Sequence, residues 1–233
     1  MRLLTSLDAD ENDRSGEHSD AVPAIGDSLV ESVLRTPELH SLAAEYGEAA
    51  LDAFVDNALI DAVPIVGTIR GLLRGASSLR DAWLEKKLVT MLSAIGEASE
   101  RDVVKWRERI NTDGGREIGE RVLAVVDRIT SAYKATLIGK VFREYLDGRC
   151  DCSSFLRTVE MIDSALTEDL LFLANDWVER EWADRDADED VSLRLIAVGL
   201  MKDRVNRMAL ESSQPPAPSA EGFLIRSAVR LVT

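Results

Sequence analysis

From residue 38 onward the apolar positions recur every three to four residues. Leu39, Leu42, Ala43, Tyr46, Ala50, Ala53, Phe54 and Ile60 fall on one side, which predicts a long amphipathic helix. Pro64 interrupts it, because proline lacks the amide proton a helix interior needs, and a second helix is expected from Pro64 to Ser77. Its sequence, PIVGTIRGLLRGASS to Ser78, puts Gly67, Gly71 and Gly75 on one stripe. The next helix is expected from Ser78 to Ile95, with Leu84, Leu88, Met91, Leu92 and Ile95 inward and Gly96 as its stop. A charged helix follows over Glu97 to Asn111, broken by Gly114 and Gly115. Ile118, Val122, Val125, Val126, Ile129 and Tyr133 mark another, and Leu137, Val141, Phe142 and Tyr145 mark its continuation to Leu146.

The C-terminal third reads differently. Phe155, Val159, Ile162 and Leu166 form one helical stripe with Ser153 as its N-cap, and a helix from Thr167 to Trp182 follows. ADRDADED, residues 183–190, is expected as a polar loop before a short helix from Val191 to Val198. LMKDRVNRMAL is expected to be extended and SSQPPAPSA a proline-rich loop; GFLIRSAVRLV is expected as a strand, or a strand leading into a short helix. Three helices followed by two extended pieces are the element order of a winged helix. The expected organisation is a disordered acidic tail over 1–26, a helical bundle over 27–150 and a winged-helix-like region over 151–233. The fold class is all-α.

Four of these segments, LIDAVPIVGTIRGL, EKKLVTML, LIGKVFREYLDGRCDCSSFLRTVEMIDSAL and LIAVGLM, lie between Leu59 and Met201. With its D-x-x-P-I-V-G helix the chain resembles uncharacterised bacterial all-helical proteins that close in a winged-helix-like tail. The resemblance implies architecture and no catalytic residues.

Composition narrows the chemistry. Hydrophobic residues make up 45%, charged residues 30% and aromatic residues 5% of the 233 positions, as in a helical globular protein. The net charge of −14 repels a phosphate backbone, so nonspecific nucleic-acid binding is disfavoured. No apolar run reaches the about 18–20 residues that span a bilayer, and the N-terminus lacks a signal peptide's apolar core. A cytoplasmic location is expected, which suits a chain with only Cys150 and Cys152.

Neither a phosphate loop, a dinucleotide fingerprint, a zinc-protease helix nor a nucleophile elbow occurs in the sequence. Only His18 and His40 could serve as histidine bases, one in the expected tail and one reading as a cap or surface residue. Cys150 and Cys152 have no second ligand pair for zinc and read as small buried thiols at a helix entry. Asp184, Asp186, Asp188 and Asp190 imitate half a calcium loop. Glu189 stands where that loop needs glycine and Leu195 where it needs glutamate. Hence no catalytic residue, cofactor or metal is expected.

The glycine stripe is the remaining candidate. Each glycine in a helix interior costs close to about 1 kcal/mol, which a closely packed second backbone can offset. Gly67, Gly71 and Gly75, with Arg70 and Arg74 beside them, are thus expected in close helix packing or interaction. Packing within the bundle is preferred. The alternatives are a small-residue face used at a membrane, with the two arginines reaching the headgroups, and a subunit interface in solution. The expected function is that of a non-enzymatic interaction or regulatory protein, with a protein partner or a second copy bound through helical surfaces. A membrane-acting effector exposing residues 59–77 and a winged-helix DNA-binding regulator are the alternatives.

Overall fold

The computed structural model describes residues 17–35, 64–72, 79–176, 185–204 and 214–230. In chain order these form helices α1 (Glu17–Leu34), α2 (Pro64–Leu72), α3 (Leu79–Ile95), α4 (Glu100–Thr112), α5 (Gly115–Arg128) and α6 (Ala132–Leu146). Then come α7 (Cys152–Ser164), α8 (Thr167–Leu171) with a π-helical turn at Phe172–Asp176, and α9 (Arg185–Ala197). Strands β1 (Met201–Arg204) and β2 (Gln214–Pro218) and helix α10 (Ala220–Arg230) complete the described residues. The fold is all-α and multi-helical, with one antiparallel ribbon in which Met201 pairs with Pro218 and Lys202 with Ala217.

Apolar periodicity located the central helices because their stripes become one continuous core. Leu88, Met91, Leu92 and Ile95 of α3, Ile118, Val122, Val125 and Val126 of α5, and Leu137, Val141, Phe142 and Tyr145 of α6 are all buried together. Gly96 stops α3 at a φ of 80°, a left-handed conformation that glycine adopts without a Cβ clash. Helix α4 starts with a capping box: the Asp102 amide donates to the Ser99 hydroxyl, and the Ser99 amide donates to the Asp102 carboxylate.

Close crossings fall at single glycines. A Cβ on Gly26 of α1 would lie 2.6 Å from the Arg116 carbonyl oxygen of α5, and one on Gly119 of α5 would strike the Gly26 backbone. Between α3 and α6, a Cβ on Gly139 would strike the Met91 carbonyl. Those backbones approach closely because no side chain stands between them.

Several expectations need correction. Helix α1 begins at Glu17, inside the stretch expected as a tail to residue 26. Its acidic, serine-rich start hid a helix anchored further on, where Leu29 and Val33 are fully buried. The N-cap of α7 is Asp151, whose carboxylate accepts from the Ser154 amide at 2.7 Å; Ser153 lies inside the helix. Residues 185–190, expected as loop, are helical and open α9, since carboxylates in a first turn suit the positive end of the helix dipole.

At the C-terminal end, the proline-rich stretch supplies β2, where proline is tolerated because this two-stranded ribbon leaves one side of the strand unpaired. The stretch expected to begin as a strand is helix α10, with Ser219 accepting from the Gly222 amide at its start. Gly222, Ile225 and Ala228 bury one face of it at helical spacing. The expected helix over residues 38–60 and the end of the Trp182 helix lie outside the described residues.

Candidate functional site

Of the predicted stripe, Gly67 and Gly71 lie on α2, as does the backbone of Arg70, while Arg74 and Gly75 lie outside the described residues. Helix α2 docks on α1 through its other side. Ile65 and Val66 are buried, the Ile65 amide donates to the Ser32 hydroxyl at 2.9 Å, and the Ser28 and Thr68 hydroxyls share a hydrogen bond of 2.8 Å. Gly67 is exposed. Among the described residues, close backbone approaches fall at Gly26, Gly119, Gly139 and Gly222.

Among the described residues, a dense polar cluster sits where α4, the end of α6 and the start of α7 meet. Asp147, just past α6, accepts from Trp106 Nε1 at 3.1 Å and Arg143 Nε at 2.8 Å, and pairs with Arg149 at 3.0 Å. Arg149 also grips Glu144 in a fork of 2.6 and 2.9 Å. Arg109 donates to the Cys150 carbonyl at 2.6 Å and lies over the Tyr145 ring, 4.9 Å from its centre. Tyr145 in turn donates to Asp113 at 2.8 Å and stacks on Phe155, which stacks on Phe142.

The electrostatics of this corner work against reactivity. Burial pushes the Cys150 thiol up to about 12, reinforced by the Glu144 carboxylate and opposed by Arg109. Burial likewise raises Cys152, and burial with the hydrogen bond to Asp113 holds the Tyr145 phenol neutral far above its ordinary range. Both cysteines are free and half-buried. A thiol kept protonated is a poor nucleophile and a poor metal ligand. The cluster joins elements through charge-assisted bonds and ring stacking, with its thiols and phenol held protonated.

Cations do similar work at other helix ends. Lys87 of α3 is buried and donates to the Asp127 and Ile129 carbonyls at 2.7 and 3.0 Å, closing the end of α5. Lys134 of α6 donates to the Asp163 carbonyl at 2.7 Å at the end of α7, and Arg143 reaches the Ile95 and Glu97 carbonyls past α3. Carbonyls left unpaired at a helix C-terminus carry partial negative charge, which these side chains satisfy. Burial lowers the pKa of Lys87 and Lys134 even so. Sequence reasoning missed every one of these caps. The only signal was a lysine or arginine in a helix on an otherwise inward-facing stripe.

On α9, Arg194 forms a fork with Asp169 of α8 at 2.7 and 2.8 Å, and Asp169 is only 1% exposed. That contact raises the pKa of Arg194 and fixes its guanidinium. The acidic stretch over 184–190 is helical from Arg185, so its backbone is not the loop that a calcium site needs. Among the described residues no group of three His, Cys, Asp or Glu side chains is arranged to hold a metal. Nor is any described helix long and apolar enough to cross a membrane. A shallow, open depression at Gly114, Gly115, Arg116, Glu117 and Glu120 does not enclose a ligand. His40 lies outside the described residues, and His18 falls on α1.

Fold and cluster together define an all-α, multi-helix protein whose polar networks knit its own helix ends. Comparison with protein-family models, curated proteins and solved structures finds no match to the chain.

Proposed function

We propose that the chain acts without catalysis, as an interaction or regulatory protein that binds a protein partner through its helical surfaces. The observation that carries this reading is the state of the Asp147 corner. Its thiols and phenol are held neutral, and its carboxylates are closed in ion pairs or hydrogen bonds with neighbouring side chains. The order α7, α8, α9, β1, β2, α10 further supports a winged-helix-like C-terminal region, in which α9 is the third helix. On that helix Leu193 is 56% exposed, whereas Arg194 is committed to Asp169. An outward leucine beside a neutralised arginine suits a protein surface better than a phosphate backbone.

The membrane reading draws less support, because the apolar Ile65 and Val66 of α2 are already covered. The test is chemical crosslinking in cells at native expression, comparing the natural chain with Leu193→Asp and Phe223→Asp. A discrete crosslinked complex lost in one of these variants, with unchanged melting, is expected. Retention on carbonate-washed membranes, or retardation of duplex DNA at low salt, would overturn the proposal.

A further inference from the structure

We draw no further inference here: the strongest candidate, the outward stripe of Ala220, Phe223 and Ser227 along α10, is an exposed helix face, and nothing in the structure shows what covers it.

Discussion

Gly119 and Gly139 set how closely two helix pairs approach, and a methyl group at either position meets a carbonyl oxygen or backbone carbon rather than a side chain that can swing away. Overpacking of this kind costs about 1–3 kcal/mol. Gly119→Ala and Gly139→Ala are therefore expected to lower the urea midpoint, whereas Gly67→Ala, at an exposed helical site, should raise stability by about 0.5–1 kcal/mol. A midpoint lowered by Gly67→Ala and untouched by the other two would refute this assignment. The three-glycine stripe attracted attention in the sequence because it repeats. The lone glycines that pack were not legible, since their partners lie far away in the chain. Cys150 ionises at about 12 in the fold, against an ordinary value near 9. An unfolded chain thus gives up the thiol proton first, so stability is full below pH 9 and falls as pH rises from there towards 12. Tyr145, also raised, adds to the loss above pH 10, while Lys87 and Lys134, lowered by burial from 10.5, act in the opposite direction. Melting temperatures between pH 7 and 10.5 should fall less steeply in Cys150→Ala than in the natural chain. Parallel slopes would mean that the thiol does not contribute.

At the scale of elements, the contest between Asp151 and Ser153 for the start of α7 is decided by one bond, from the Ser154 amide to the Asp151 carboxylate. Hydrogen bonds with the backbone and side chain of Ser154 also hold that carboxyl below its ordinary range. Asp151→Ala is expected to cost about 1 kcal/mol in chemical denaturation, and Ser153→Ala close to nothing. The reverse order would return the cap to Ser153. Both residues are good caps, so hydropathy fixed the stripe from Phe155 to Ile162 but left its first turn ambiguous by two residues. The same limit explains α9 and α10. A run of aspartates reads as a loop until its backbone is seen to continue into the buried Ser192 and Leu195. GFLIRSAVR has enough branched and aromatic residues for a strand, yet Gly222, Ile225 and Ala228 bury one face at helical spacing, with Gly222 against the Leu200 carbonyl.

On the scale of the whole molecule, the boundary expected at residue 150 divides sequence character without dividing the core. Phe155 of α7 stacks on Phe142 and Tyr145 of α6, with ring centres 4.7 and 5.2 Å apart. Across the same seam Arg128 pairs with Glu160 and Asp163, and Lys134 closes the end of α7. These links explain how a chain with 42 acidic and 28 basic residues keeps its helices together: many of its cations face the chain's own carbonyls and carboxylates. Cutting after Arg149 would expose the Phe142 and Tyr145 rings and leave Arg128 and Lys134 without their α7 partners. The 233-residue chain is therefore expected to unfold in one transition, coincident by far- and near-ultraviolet circular dichroism. The 1–149 fragment should retain helix but lose near-ultraviolet signal, as loosely packed chains do. A fragment melting cooperatively at the temperature of the 233-residue chain would show instead that the aromatic seam is an interface between independently stable parts.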